Sequence, residues 1–483
     1  MESENKAALR WSGLNSFSKV FFNFLTPIIL ARILGPEVFG LMALALILVG
    51  FSQIFVDFGT TEAIIKEKEI SPKFLSSLFW FNLFIAFSVY FCILLITPFF
   101  SSYLNKEELS LIIPILSTAI FFQVYSLFPT SLFKREKDFL SITKADFLSR
   151  LFASLLSILL AIYNFKIASL IALSISQAAI YAVLIASFSN WRLSFFFSLL
   201  HVRQVLTFTA SLFYVKVINN IERQSDRFFI GPIFGDVMLG IYTRGLALQK
   251  GLQRFFSGLF NPVFFSILSR QDKRSEIINS YLNALEAFMI LMFPLYLVFF
   301  FFSENVVLII FGTGWKDMIE FLPFFSLLFL IRPFQKINQE VIKSKGNVTF
   351  LVICFSVLTP LLILIYYFYS KNNGISSFIN AYVIISIMLF ISSTIYVFNL
   401  LEIKPRVFLS LFKNYLMRGI VLLGLAIIIS SDNLINFGIL FELIIFLIIS
   451  VISMLIIQIL NPSKVQGIMQ DLAIDSLKKI RPN

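Results

Sequence analysis

The sequence predicts an all-α polytopic membrane protein with fourteen transmembrane helices, and three observations predict it. Apolar residues make up 58% of the chain and charged residues only 14%, whereas an ordinary soluble domain is about half apolar and about a quarter charged. The apolar residues fall in long unbroken runs that match the roughly 20 residues a helix needs to cross a bilayer. They do not follow the alternating ten-residue pattern of a membrane β-strand. The basic residues collect in every second connection between those runs, the asymmetry that orients helices in a membrane.

Taken in order, the spans are expected at 13–34, 38–58, 74–97, 109–131, 146–164, 167–188, 205–232, 236–266, 280–303, 317–341, 348–369, 375–400, 413–431 and 437–460. The seventh and eighth are the least hydrophobic. The opening stretch MESENKAALRWSG carries acids and no small-residue cleavage site, so the first run is expected to stay as a helix. With the N-terminus in the cytoplasm, Lys66, Lys68, Lys73, Lys134, Arg135, Lys137, Lys144, Arg192, Arg203, Arg270, Lys273, Arg274, Lys343, Lys345, Lys404 and Arg406 all fall inside. The outer connections offer little beyond Lys106, Lys166, Lys316 and Lys371. Both termini are then cytoplasmic. Most of the formal +12 charge is thus topogenic, so no nucleic-acid partner is expected. One histidine, His201, and two cysteines, Cys92 and Cys354, make no metal site or disulfide framework. No cofactor and no catalytic residue is expected.

An internal repeat organises the chain. Ile33-Leu34-Gly35-Pro36-Glu37-Val38-Phe39-Gly40-Leu41 matches Ile233-Phe234-Gly235-Asp236-Val237-Met238-Leu239-Gly240-Ile241 at an offset of 200 residues, with both glycines and the apolar positions coinciding. A tight turn with close backbone approach explains the glycines. The first span carries Ser16, Lys19 and Asn23, and the seventh carries Lys216, Asn219 and Arg223, each trio on one helical stripe. A duplicated six-helix unit gives halves that enter the membrane from the same side, related by an axis along its normal, as in alternating-access transporters. The expected bundles are 1–204 and 205–404. Residues 405–483 add two helices and a basic tail.

Charge within hydrocarbon must face a cavity or a partner. Lys19, Asn23, Lys216, Asn219, Arg223, Arg227 and Arg244 are expected to bind an anionic substrate group, the arginines by their two-pronged fork. Structural pairing of Arg223 with Asp226 or Glu222 is the plainer alternative. Glu286, Asp226 and Asp57 are the carboxylates available for ion coupling. Arg332, Lys336 and Glu340 form a stripe that structural pairing accounts for.

The stretch Leu30-Ala31-Arg32-Ile33-Leu34-Gly35-Pro36-Glu37-Val38-Phe39-Gly40-Leu41, followed by Phe55-Val56-Asp57-Phe58-Gly59, resembles the start of bacterial polysaccharide flippases. Asp226-Arg227-Phe228-Phe229-Ile230-Gly231 and Gly240-Ile241-Tyr242 are similar to the second half of that family. These are the lipid-linked oligosaccharide flippases of the multidrug/oligosaccharidyl-lipid/polysaccharide exporter superfamily. The resemblance implies transfer of an undecaprenyl-diphosphate-linked oligosaccharide from the inner to the outer leaflet, for capsule, O-antigen or exopolysaccharide. It also implies sodium or proton coupling and other polysaccharide-assembly proteins as partners. A multidrug cation antiporter of the same superfamily would want acids in its cavity and usually twelve helices. A polysaccharide polymerase or membrane glycosyltransferase would want a sizeable outer loop carrying catalytic groups, and the spans leave no room for one. No Walker A motif is present.

Overall fold

The computed structural model describes residues 2–57, 59–67, 70–270, 274–345, 347–369 and 374–403. Every regular element among them is helical. The helices are α1 (Glu2–Leu34), α2 (Pro36–Val56), α3 (Thr60–Lys66), α4 (Pro72–Tyr103), α5 (Leu109–Ser117), α6 (Ala119–Glu136), α7 (Phe139–Ile162), α8 (Lys166–Phe188), α9 (Leu199–Arg270), α10 (Arg274–Phe301), α11 (Ser303–Ile310), α12 (Met318–Ser344), α13 (Val348–Tyr369) and α14 (Ile375–Leu401).

Ten spans among the described residues are long and apolar enough to cross a membrane. They coincide with the first six and the ninth to twelfth expected ones. The seventh and eighth fall in α9, which bends at Gly235. The last two, 413–431 and 437–460, lie outside the described residues, as does the basic tail. Phe84, Phe91, Phe99, Leu111 and Leu159 stand more than half exposed on these helices, a surface suited to lipid rather than water. The chain is a multi-pass membrane protein.

The structure corrects several boundaries. The fourth span is two helices, α5 and α6, separated at Thr118, whose hydroxyl donates back to the carbonyl of Ile115 at 2.6 Å. The fifth begins at Phe139, not at residue 146, because Asp138 caps it by accepting from the amide of Ser141 at 3.1 Å. Two short elements were not expected. Asp57 nucleates α3: its Oδ1 accepts from the amides of Gly59 and Thr61 and from the Thr60 hydroxyl, each at 3.1 Å. α11 precedes a 3-10 turn, Thr313–Trp315, that buries Trp315.

Two compact units meet along the chain between Arg244 and Gly245. In the first, α7 packs between α1 and α8, and α4 lies on α2, α5 and α6. A non-helical stretch after α8 is pinned to the start of α4. Trp80 Nε1 donates to the carbonyl of Ser194 at 3.0 Å, and the amide of Ser198 donates to Ser77 Oγ at 3.0 Å. In the second unit, α12 packs between α10 and α14. There Asn338, fully buried, accepts from Tyr281 Oη at 2.8 Å and donates to Ser393 Oγ at 3.0 Å and Thr394 Oγ1 at 2.9 Å. Such a closed polar network satisfies every group where no water can reach.

The repeat is visible in the backbone. Gly35 has φ 78° and ψ 174°, and Gly235 has φ 81° and ψ 175°. This region is nearly closed to any residue with a side chain. Within the first unit the two turns touch. A Cβ added to Gly40 would lie 1.7 Å from the carbonyl oxygen of Asp236, and one added to Gly240 would lie 2.0 Å from that of Pro36. Pro36 and Asp236 are themselves equivalent under the 200-residue offset, so the contact is reciprocal. Lys106, between α4 and α5, donates to Asp236 Oδ2 at 2.6 Å and so joins this corner.

Candidate functional site

Three helices of the first unit bring a polar cluster together in otherwise apolar surroundings. α7 supplies Asp146 and Arg150, one turn apart on one face. Arg150 Nε donates to Asp146 Oδ2 at 2.9 Å and Nη2 donates to Oδ1 at 3.2 Å, a two-pronged pair with little exposure on either side chain. α1 supplies Asn23, whose Oδ1 accepts from Arg150 Nη1 at 2.9 Å. α8 supplies Gln177, whose amide end lies 3.3 Å from both Nη atoms of Arg150 and satisfies them when its oxygen is turned towards them. The guanidinium fork is thus held from three helices, which fixes its plane and its height in the bundle. Nearby, Thr130 and Tyr181 share a hydrogen bond of 3.0 Å, and Thr26 and Ser154 share one of 2.9 Å.

Lys19, half-buried one turn before Asn23 on α1, interacts electrostatically with Asp146, Arg150 and Lys134. It has no hydrogen-bond or ion-pair partner among the described residues. Since Asp146 is committed to Arg150, Lys19 contributes an uncompensated positive charge to the cluster. A buried charge in that state favours an incoming anion. Two of the residues expected from sequence, Lys19 and Asn23, therefore meet here.

The expected residues on α9 divide. The side chains of Lys216, Asn219 and Arg223, with that of Glu222, lie outside the described residues. Asp226 is buried and accepts from Tyr242 Oη at 3.1 Å through Oδ2. Arg227 donates from Nη1 to Gln224 Oε1 at 3.1 Å. Gln224 in turn donates to the carbonyl of Leu46 at 3.2 Å, and Asn220 donates to that of Gly50 at 3.2 Å, so α9 is stitched to α2. Arg244 sits over the ring of Phe39, 4.8 Å from its centroid, and its Nε is buried with no partner among the described residues. It also feels the charge of Arg227. Asp57 accepts through Oδ1 at the start of α3, as described. Glu286 is buried on α10 in the second unit. Lys336 pairs with Glu340 at 3.0 Å. No group of three or more histidine, cysteine or acidic side chains suited to a metal occurs among the described residues.

Asp146, Arg150 and Gln177 were not among the residues expected from sequence. A span drawn from residue 146 leaves Asp146 and Arg150 as flanking charges. The signal that corrects it is Asp138 followed three residues later by Ser141: Asp138 takes both the amide and the hydroxyl of Ser141, the latter at 2.6 Å, and starts the helix two turns earlier.

A model of the family described as polysaccharide biosynthesis protein matches residues 29–320, more than half of the chain. The succinoglycan biosynthesis transport protein ExoT of Rhizobium meliloti is 26% identical over 310 residues, 63% of this chain and 62% of that protein. The lipopolysaccharide biosynthesis protein WzxC of Escherichia coli is 23% identical over 343 residues, 70% of each chain. Among solved structures, the inward-facing conformation of a multidrug resistance MATE family transporter of the MOP superfamily superposes with a TM-score of 0.54, covering 81% of this chain and 95% of that one at 14% identity. At that identity the likeness is one of fold. With the family model matching more than half its length, the chain belongs to the polysaccharide biosynthesis protein family, and its apolar helices make it a multi-pass membrane protein.

Proposed function

We propose that the protein is a flippase that moves a lipid-linked oligosaccharide, with undecaprenyl diphosphate as the carrier, from the inner to the outer leaflet by alternating access. The observation that carries this reading is the cluster on α1, α7 and α8. Lys19 there has no acid of its own beside the Arg150–Asp146 pair, on helices apolar enough to cross a membrane, and an anionic cargo would supply the missing charge. The diphosphate would be held by Lys19 and Asn23, with the Arg150 fork as the second anchor. Lys216, Arg223, Arg227 and Arg244 are further anion-binding residues in this scheme, on the repeat-related segment. The family membership and the names of the relatives support a polysaccharide cargo. The protein acts as a carrier and not as an enzyme, with assembly proteins as partners and both termini cytoplasmic.

The same cluster offers a coupling step. Asp146 and an incoming oxyanion compete for one fork. An oxyanion that takes the fork leaves the Asp146 carboxylate in need of another cation, which ties cargo binding to the uptake of a positive charge. Asp226 and Glu286 are the other carboxylates available for coupling.

The test is complementation of a flippase-deficient host by wild type, Lys19→Gln and Arg150→Gln at equal membrane expression, scored by surface polysaccharide. Rescue by wild type and loss in both variants supports the reading. Rescue by all three removes the cluster from it. Drug resistance without polysaccharide rescue would transfer the protein to the cation exporters.

A further inference from the structure

The second unit holds a pair of cations that the cluster on the first unit does not use. Lys250 stands on α9 beyond its bend, and Arg332 stands near the middle of α12. Both come over the ring of Tyr382 on α14. Lys250 Nζ is 5.9 Å from the ring centroid, and the guanidinium carbon of Arg332 is 5.1 Å from it. Arg332 commits one nitrogen to the protein: Nη2 donates to Tyr382 Oη at 2.6 Å and to Ser386 Oγ at 3.2 Å. Its Nε and Nη1 have no partner among the described residues. Lys250 is exposed, and its ammonium makes no hydrogen bond or ion pair among them.

α12 supplies its own comparison. One turn beyond Arg332, Lys336 is neutralised by Glu340 at 3.0 Å. Arg332 and Lys250 have no such acid. A ring face compensates a cation in part, but two like charges sharing one ring remain short of negative charge. Among the described residues no acid supplies the missing charge, which leaves the pair suited to an anion of the cargo.

We propose that Lys250, Arg332 and Tyr382 form a subsite for an acidic sugar of the cargo, one bearing a carboxylate; this rests on the flippase reading above. With Nη2 held by Tyr382 and Ser386, the free Nη1 of Arg332 can donate to one carboxylate oxygen while the Lys250 ammonium takes the other. Lys250 adds a point charge that tolerates variation in position. The tyrosine ring gives the C–H face of a pyranose an apolar surface, and Ser386 and Tyr382 keep the arginine from collapsing away from it.

The full chain in nanodiscs would be titrated with a glucuronate-containing disaccharide, its all-glucose counterpart and inorganic pyrophosphate, with thermal unfolding as readout. The acidic disaccharide should raise the Tm and the neutral one should not. Lys250→Gln and Arg332→Gln should each weaken the acidic response about tenfold and leave the pyrophosphate response unchanged. Lys250→Arg should keep both, which guards against loss by misfolding. Equal responses to the acidic and neutral disaccharides would overturn the subsite, as would no response to either. Loss of the pyrophosphate response in the two Gln variants would assign the pair to the diphosphate instead and overturn it too. In vesicles, the same variants should slow a uronate-bearing prenyl-diphosphate cargo about tenfold and an uncharged one hardly at all. Should wild type move neither cargo, the flippase reading falls, while the disaccharide titration still decides the subsite.

Discussion

Gly40 and Gly240, equivalent residues of the two repeats, each lie against the backbone of the opposite copy, Gly40 on Asp236 and Gly240 on Pro36. The atoms they face are carbonyl oxygens, which cannot rotate away as a side chain would. Gly40→Ala and Gly240→Ala should therefore each cost at least the ~1–3 kcal/mol typical of an over-packed methyl group. Thermal unfolding of the purified variants in detergent checks this. If either unfolds with wild type, the two turns are not in contact.

Gly35 and Gly235 give a contrasting prediction. A Cβ on either meets nothing within 4 Å, yet both have positive φ with extended ψ. Alanine at either position should cost about 1–3 kcal/mol from backbone strain alone. The two costs should agree, because the two dihedral pairs agree. A marked difference between them would argue against equivalent turns.

Asp146 and Arg150 form a pair from which one member cannot be removed quietly. Asp146→Ala should destabilise the chain by about 3–5 kcal/mol, as expected when a buried charge loses its partner. The double variant Asp146→Leu, Arg150→Met should recover much of that loss. If the pair serves only packing, the double variant also restores polysaccharide transport. If Arg150 holds cargo, it restores stability and leaves transport absent.

Lys106 has a titration of its own. The hydrogen bond to Asp236, followed by the charges of Asp236, Glu37 and Glu108, holds its ammonium above the usual lysine range of 10.5. A raised folded pKa contributes stability that is complete below the ordinary lysine value and disappears as pH climbs through the raised one. Because Lys106 is 36% exposed, the contribution is that of a screened surface pair, about 0–1 kcal/mol. Thermal stability of wild type minus Lys106→Met should be flat near neutral pH and fall at strongly alkaline pH. A flat difference throughout would mean the ion pair does not form.

Asn338 connects α10, α12 and α14 through Tyr281, Ser393 and Thr394. Asn338→Leu strands those groups in a dry core and should cost about 1–3 kcal/mol. Tyr281→Phe removes a single interhelical bond, which in membranes averages about 0.6 kcal/mol. The larger loss should follow the asparagine, and equal losses would mean that the network is not shared.

Much of this architecture was legible in the sequence. Hydropathy marks a span by the solvent it needs, so helices such as Lys166–Phe188 and Val348–Tyr369 were located almost to the residue. The turns at Gly35 and Gly235 were legible because a repeated glycine at a helix junction has few physical explanations. What escaped were features that depend on local capping or on three-dimensional convergence. α3 is seven residues long and is nucleated by one aspartate oxygen, too short to leave a periodic signal. The Asp146–Arg150 pair was lost when the start of its helix was placed two turns late. Gln177 carries no charge and nothing along the chain marks it, and only the packing of α8 on α7 brings it to Arg150. Arg332 was visible singly, but its meeting with Lys250 over Tyr382 depends on three helices distant in sequence.

After a gene duplication, two copies are ordinarily free to drift, each under its own selection. The reciprocal turn contact removes that freedom at one corner. A mutation that thickens one copy is felt by the main chain of the other, and no change of side chain there can make room, because the obstructing atom is a carbonyl that every residue possesses. The two turns are therefore tied at these codons: each glycine can be lost only with a rearrangement of both turns, so the pair should outlast the rest of the resemblance between the two motifs.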